Sequence, residues 1–231
     1  MANLSSKTLF HFTDKLDNVE DILLNGFKYG LNAERLVNTY NAYFVNEICF
    51  CNIPLSMIGE HVDWYGHYAI GLKRSVARDM GATPVFYVHS KSPQIQHFRS
   101  SLCLQWYQEF SNFTLYFKND QGKQYKKKTM KYENKVFYDE KEWKIIKGDY
   151  IIEKYINNKS LNDRLQALKM DPKYIVKDRL KIEIDDIEYI ILDNPSDMVP
   201  FDVFLSSHFP PKKKMQILPK ILYYSQIKRD F

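Results

Sequence analysis

Cysteine is scarce in this sequence, and the three cysteines present form no recognisable pattern. Cys49 and Cys51 stand in a C-x-C arrangement, and Cys103 lies far from both. An odd number of cysteines without C-x-x-C spacing argues against a disulfide framework and against a structural zinc site. We therefore expect buried free thiols and a cytoplasmic protein, because the cytoplasm keeps thiols reduced.

Long apolar runs are also missing. No window approaches the roughly 18 consecutive apolar residues that a membrane-spanning helix needs. The N-terminal stretch MANLSSKTLFHF has no basic segment followed by an apolar one, so it predicts no signal peptide. These absences predict a protein without a membrane segment.

Several motifs that mark large enzyme classes do not occur. The sequence has no G-x-G-x-x-G fingerprint, no Walker-type phosphate loop and no G-x-S-x-G nucleophile elbow. Their absence disfavours dinucleotide-binding Rossmann folds, P-loop NTPases and α/β-hydrolases.

The net charge of +5 is modest for 231 residues, but basic residues cluster in two runs, 118–135 and 210–216. Such runs can attract the phosphate backbone of a nucleic acid, although they are more often solvated turns or helix faces. Arg74 and Arg78 can likewise hold a pyrophosphate through charge-assisted hydrogen bonds, whereas a plain surface position is the more common reading.

The order of hydrophobic patterns predicts an α+β protein with a mostly antiparallel or mixed sheet. About six strand-like runs alternate irregularly with helices, which differs from the regular βαβ repeat of a parallel sheet. TLFHFT (8–13) predicts the first strand, and an amphipathic helix begins at Thr13 or Asp14 and ends at Gly26. Residues 95–117 predict a longer helix. We predict one α+β domain over residues 1–194, with residues 195–231 forming a helical C-terminal appendage of that domain.

Two glutamates lie one residue apart in VFYDEKEWKII (136–146), a stretch that predicts a strand. Glu140 and Glu142 would then point to the same face of that strand. One reading is a solvated edge strand, because charged residues are mostly exposed. The other is a working pair of carboxylates, each raising the pKa of the other.

The histidines around VDWYG allow a metal site to be considered. His61, Asp63 and His67 are spaced H-x-D-x-x-x-H. This spacing does not give the one-face helical geometry of H-E-x-x-H, so we predict no metal.

Six segments together resemble the AbiGi-type family of abortive phage-resistance proteins: LFHFT, ICFCNIPLS, YGHYAIGL, PVFYVH, FYDEKEW and the closing SQIKRDF. Their order and spacing extend the resemblance over nearly the whole chain. The family is named as the antitoxin partner in bacterial defence operons. The resemblance therefore implies a role in anti-phage abortive infection and a toxin or antitoxin partner encoded in the same operon.

A second resemblance is to ADP-ribosyltransferase-like folds, which have a central split, mostly antiparallel sheet. A strand histidine, a tyrosine and a late glutamate in E-x-E are the shared pattern, and HFT followed by VEDILLNGF resembles the entry of toxins of this superfamily that modify nucleic acid. The resemblance implies that NAD is the substrate. It assigns NAD binding to His11 and to either Tyr65 or Tyr68, and catalysis to Glu142 and Glu140. Thr13 and Arg74 are further candidates for NAD binding, Arg74 through its charge.

In that pattern the histidine holds the adenosine ribose and the aromatic ring stacks on nicotinamide. Glu142 would stabilise the developing oxocarbenium ion, and Glu140 would orient or deprotonate the acceptor. The sequence thus predicts an NAD-dependent ADP-ribosyltransferase that modifies a protein or a nucleic acid. The alternative is a non-enzymatic antitoxin or regulator that binds a partner toxin or operator DNA.

Overall fold

The computed structural model describes most of the chain, in six segments: residues 6–35, 41–89, 91–93, 113–126, 128–154 and 157–230. The predicted helix over 95–117 lies almost wholly outside the described residues, as does Cys103. At its C-terminal end the structure has a strand beginning at Phe117.

An eight-stranded sheet forms the centre of the fold. Its strands are β1 (Thr8–Thr13), β3 (Gly30–Arg35), β4 (Asn41–Cys51), β5 (Tyr68–Lys73), β6 (Thr83–Pro84), β11 (Glu142–Lys154), β13 (Ile187–Leu192) and β14 (Ile221–Tyr223). The order is β14-β13-β5-β1-β4-β11-β6, with β3 also paired to β4. Every pairing is antiparallel except that of β13 with β14. The prediction of an α+β protein with a mixed, mostly antiparallel sheet is confirmed.

Three small two-stranded sheets lie outside the central one. β2 (Phe27–Lys28) pairs with β12 (Arg179–Leu180), β7 (Phe86–Val88) pairs in parallel with β8 (Phe117–Asn119), and β9 (Gln121–Lys126) forms an antiparallel hairpin with β10 (Lys131–Val136). The last two of these sheets carry the residues that enclose the site described below.

The described α-helices are α1 (Leu16–Asn25), α2 (Gly59–Tyr65), α3 (Arg74–Asp79), α4 (Asn158–Lys169), α5 (Met198–His208), α6 (Pro211–Ile217) and α7 (Tyr224–Asp230). Helix α1 ends as predicted at Gly26, which has φ +84°. It begins later than predicted, because Thr13 is still part of β1 and pairs with Tyr68 on β5. No helix in the described part of the chain is long and apolar enough to cross a membrane.

Two hydrophobic clusters lie on opposite faces of the sheet, as the alternation of side chains along β1 requires. Leu9 packs with α1 and the C-terminal helix α5. Phe10 and Phe12 pack with α2 and α7. The C-terminal residues thus contribute to both clusters.

Residues 195–230 are helical over much of their length, as predicted, and Pro211 begins α6. They also supply the edge strand β14, which sequence reading missed. Its three residues, Ile221–Tyr223, are too few to show an alternating pattern. The division of the chain at residue 194 remains a prediction.

The prediction of one continuous strand across the glutamate pair is wrong. β10 ends at Val136, Phe137–Glu140 form a 3-10 turn, and Lys141 adopts a left-handed conformation with φ +43°. β11 then begins at Glu142. The two glutamates therefore stand on a tight turn and on the strand after it, so strand parity does not determine where their side chains point.

Candidate functional site

A cavity of about 650 Å³ opens against the central sheet, between β1, β3 and β4 on one side and the β9–β10 hairpin on the other. Four of the predicted site residues line it: His11, Tyr65, Glu140 and Glu142. They come from β1, from the end of α2, from the 3-10 turn and from the start of β11. Residues from four separate segments therefore meet at one concave site of the size that binds small molecules.

Glu140 is buried and is held by three donors. Its Oε1 accepts hydrogen bonds from Tyr65 Oη at 2.5 Å and from Lys135 Nζ at 2.5 Å. Its Oε2 lies 3.4 Å from Lys118 Nζ. Burial alone would raise the pKa of Glu140, but the two ammonium groups outweigh it and lower this pKa to about 2. The carboxylate is thus fully ionised at neutral pH and is a weak base.

Glu142 is equally buried and is fixed at two points. Its Oε2 accepts a hydrogen bond from Lys118 Nζ at 2.6 Å, and its backbone N–H donates to Tyr87 Oη at 2.8 Å. Burial opposes ionisation here too, yet Lys118 and then Lys144 lower the pKa of Glu142 below its ordinary value. Glu140 does raise the pKa of Glu142, as expected for two nearby carboxylates, but the lysines outweigh this effect and the net shift is downward.

Lys118 is the centre of this ion-pair cluster. Its ammonium group contacts Glu142 and Glu140 and lies 4.0 Å from Glu34 Oε1. It also stands 4.9 Å from the ring centre of Phe137, as in a cation–π contact. Burial would lower the pKa of this lysine, but the carboxylates raise it well above the ordinary value.

A second buried ion pair lies deeper in the sheet. Lys144 Nζ is 3.2 Å from Glu47 Oε2, and both side chains are almost completely shielded from solvent. Glu142 and Lys144 share one face of β11 because they are two residues apart. The ion pairs next to the cavity are thus continued by a further ion pair in the protein interior.

His11 is a neutral ring that lines the cavity and packs edge-on against Phe27 and Phe50. Its Nδ1 lies 2.8 Å from the carbonyl oxygen of Cys49, which can only accept, so Nδ1 carries the proton. Burial lowers the pKa of His11, which favours the neutral form. In that tautomer Nε2 is the acceptor.

The structure separates the two tyrosines that sequence could not separate. Tyr65 lines the cavity and contacts Glu140. Tyr68 instead donates to Asp197 at 3.2 Å and packs in the cluster on the α1 side of the sheet. Burial, together with Asp197, raises the pKa of Tyr68 to about 12.

Two further predicted residues do not line the cavity. Thr13 closes β1, and its hydroxyl accepts a hydrogen bond from Asn18 at 2.5 Å. Arg74 is the first residue of α3, and its backbone N–H donates to the carbonyl oxygen of Lys7. Among the described residues, neither of them is part of the cavity wall.

Sequence reasoning missed Lys118, Lys135 and His61 as site residues. The two lysines bound the basic run 118–135, which looked like a solvated surface; their buried position depends on tertiary contacts with Glu140 and Glu142. The ring centres of His61 and Tyr65 lie 4.6 Å apart with the planes tilted by 37°, and burial lowers the pKa of His61 to about 4. A spacing of four residues along one helix was the signal that could have linked His61 to Tyr65.

Metal ligation has no support in the described residues, where no group of three or more His, Cys, Asp or Glu side chains is placed to hold an ion. His61, Asp63 and His67 are drawn apart: Asp63 pairs with Lys128, and His67 pairs with Asp193.

Comparison with known proteins identifies the family. A family model described as abortive phage resistance protein AbiGi, antitoxin, matches residues 30–193, which is most of the chain. This chain belongs to the AbiGi family. It is also similar to the abortive phage resistance protein AbiGi of Lactococcus lactis subsp. cremoris, with 24% identity over 234 residues, covering 82% of this chain and 90% of that protein. No solved structure matches it significantly.

The matched AbiGi region contains Tyr65, Lys118, Glu140 and Glu142 but begins after His11. The residues of the ion-pair cluster thus lie within the segment that the family model matches, whereas His11, on β1, lies before that segment. The resemblance noted from the sequence is confirmed for the AbiGi family. The ADP-ribosyltransferase-like fold remains a prediction.

Proposed function

We propose that this AbiGi protein is an NAD-consuming enzyme of abortive infection, of the ADP-ribosyltransferase type. The observation that carries the proposal is the meeting of His11, Tyr65 and Glu142 around one cavity of about 650 Å³. These are the residue types that the ADP-ribosyltransferase resemblance assigned to NAD. They meet although they are far apart in sequence, which favours a shared role.

The chemistry proposed is cleavage of the bond between C1′ of the ribose and the nicotinamide nitrogen. Nicotinamide leaves with the bonding electron pair, and positive charge develops on the ribose ring. Glu142, ionised and held in a water-poor site, stabilises that charge. A nucleophile on the acceptor, or water, then bonds to C1′ and loses its proton.

The remaining wall suits a dinucleotide. Neutral His11 offers Nε2 to a ribose hydroxyl, and Asn32 and Gln124 add amide groups. Tyr65 and His61 present adjacent rings for a planar base. About half of the lining residues are polar or charged, which suits a ligand rich in hydroxyl, phosphate and amide groups.

Glu140 fits a different role from the one that the resemblance implied. A carboxylate held by three donors, with a pKa of about 2, is a poor acceptor of a proton from a hydroxyl or amine. We propose that Glu140 anchors Tyr65 and the hairpin residue Lys135 around the cavity. The acceptor, a protein or a nucleic acid, would then lose its proton to another base or to water.

The direct test is release of nicotinamide from NAD by the purified protein, with label transfer to cellular protein and nucleic acid measured in parallel. Glu142→Gln keeps the shape of the side chain and removes its charge, so it should lower the rate by about a hundredfold or more. Glu153→Gln is the matched control, because Glu153 lies on the same strand as Glu142 but pairs at the surface with Arg164 of α4. Absence of NAD binding and turnover in the wild type would refute the proposal.

A second candidate function is that of a non-enzymatic antitoxin that binds a partner protein or operator DNA. It is favoured by the description of the matching family, which names an antitoxin. Copurification with a neighbouring operon product, with toxicity still neutralised by Glu142→Gln, would support it. Strongly salt-dependent DNA binding would favour the operator version.

A further inference from the structure

The small parallel sheet β7–β8 contacts Glu142 through both of its strands. From β7, Tyr87 Oη accepts a hydrogen bond from the backbone N–H of Glu142 at 2.8 Å. From β8, Lys118 Nζ donates to Glu142 Oε2 at 2.6 Å. One sheet that lies outside the central one therefore fixes the main chain and the side chain of the same residue.

The position of Glu142 makes this double contact informative. It is the first residue of β11 and follows Lys141, whose φ is +43°. Glu142 is paired with Cys51 on β4, and its carbonyl oxygen accepts a hydrogen bond from the Val85 N–H at 2.9 Å. The hydrogen bond to Tyr87 adds a restraint on the backbone N–H of Glu142 that comes from outside the central sheet.

Lys118 carries a second restraint, because it also reaches carboxylates from other segments. Glu140 Oε2 lies 3.4 Å and Glu34 Oε1 lies 4.0 Å from its ammonium nitrogen. The ammonium group is thus held from several sides and cannot swing away from Glu142 without leaving buried carboxylates uncompensated. Lys118 thus holds Oε2 of a carboxylate whose residue lines the cavity.

We propose that the β7–β8 sheet is a clamp that positions the Glu142 carboxylate, with Lys118 and Tyr87 as its positioning residues. This inference rests on the proposed function for its effect on catalysis, but the clamp itself can be tested without NAD. Neither residue is required to touch the substrate; each acts through Glu142.

The first experiment follows the Glu142 carboxyl carbon by ¹³C NMR through a pH titration, with its signal assigned by its loss in Glu142→Gln. In Lys118→Met the titration midpoint should move to higher pH, because the main stabilising cation is gone. Lys118→Arg should retain the low midpoint. Lys128→Met, which removes an exposed lysine paired with Asp63, is the matched control and should leave the midpoint unchanged. An unchanged midpoint in Lys118→Met would overturn the clamp.

The second experiment measures NAD turnover in folded variants. Tyr87→Phe removes only the hydroxyl that accepts the Glu142 N–H, and it should lower kcat about tenfold to a hundredfold with little change in KM. Lys118→Met should lower kcat similarly and shift the acid limb of the kcat profile to higher pH, and Lys118→Arg should restore most of the rate. A Tyr87→Phe enzyme with wild-type kcat would overturn the proposal, even if Lys118→Met does not fold.

The two experiments separate the two proposals. If the wild type does not turn over NAD but the Glu142 midpoint responds to Lys118→Met as expected, the proposed function fails and the clamp stands. If NAD is consumed and neither the midpoint nor kcat responds, the clamp fails and the proposed function stands.

Discussion

Glu140 gives the sharpest test of the ionic cluster, because its contribution to stability can be worked out from its pKa. In the folded protein this pKa is about 2, against an ordinary value of 4.5. The difference of about 2.5 pH units corresponds to about 3 kcal/mol of folding free energy, at about 1.4 kcal/mol per unit. We therefore expect Glu140→Gln to lower the free energy of unfolding at pH 7 by about this amount.

The sign of the pH dependence follows from the direction of the shift. A depressed carboxyl pKa stabilises the folded state at pH values above the unfolded pKa, and this stabilisation is lost as pH falls towards the folded pKa. The difference between wild type and Glu140→Gln should thus be about 3 kcal/mol at pH 7 and about half as large at pH 3. The measurement is urea unfolding followed by circular dichroism at both pH values.

Two controls make the result specific to Glu140. Glu153→Gln removes an exposed partner of Arg164 and should change stability by at most about 1 kcal/mol. Glu140→Gln combined with Lys135→Met removes both charges of the 2.5 Å pair and should recover part of the loss. A Glu140→Gln protein as stable as wild type at pH 7, or a difference that does not shrink at pH 3, would refute this account of the cluster.

Three other predictions concern the interior and the cavity wall. Lys144→Met should destabilise the protein by about 3–5 kcal/mol in urea unfolding, because it leaves Glu47 buried without its partner. The double variant Lys144→Met with Glu47→Gln should recover much of this loss, and a double variant without recovery would contradict the pairing. Gly66→Ala should lower the melting temperature, since φ is +108° and a Cβ would lie 2.3 Å from the carbonyl oxygen at the end of β1; an unchanged melting temperature would contradict this. Tyr65→Phe should reduce NAD turnover and destabilise the protein by about 1–3 kcal/mol, because it removes the hydroxyl that donates to Glu140. Tyr68→Phe should leave turnover in a nicotinamide-release assay unchanged, because Tyr68 contacts Asp197 away from the cavity. The reverse result would assign the tyrosine of the site to Tyr68.

Local patterns in the sequence predicted the elements around the first strand well. TLFHFT is β1, and the apolar spacing after it is the amphipathic helix that ends at Gly26, because both signals lie within a few neighbouring residues. The helix begins at Leu16, later than local helix-start signals predict, because the pairing of Thr13 with Tyr68 extends the strand. Long-range pairing overrode local helix-start chemistry there.

The sequence could indicate several residues of the site but not their ionisation states. The resemblance to ADP-ribosyltransferases named His11, Glu140, Glu142 and either Tyr65 or Tyr68, and of these His11, Tyr65, Glu140 and Glu142 line the cavity. Thr13, Tyr68 and Arg74 do not. The ionisation of those that line the cavity could not be foreseen, because it is set by lysines brought in by the hairpin and by β8. A run of lysines in a sequence shows no sign of which ammonium groups will be buried against carboxylates. Burial and pairing are properties of the tertiary structure.

The extent of the buried ion-pair cluster bears on the choice between the two candidate functions. Buried ion pairs contribute little net stability compared with apolar packing, because desolvation offsets much of their attraction. A protein that only presents a surface to a partner would gain little from Lys118, Glu140 and Glu142 below a cavity. Groups with strongly perturbed pKa values beside a cleft are instead typical of catalytic and binding sites, where a charged group acts on a ligand. For this reason the cavity, more than the basic runs, is where the function of this AbiGi protein should first be tested.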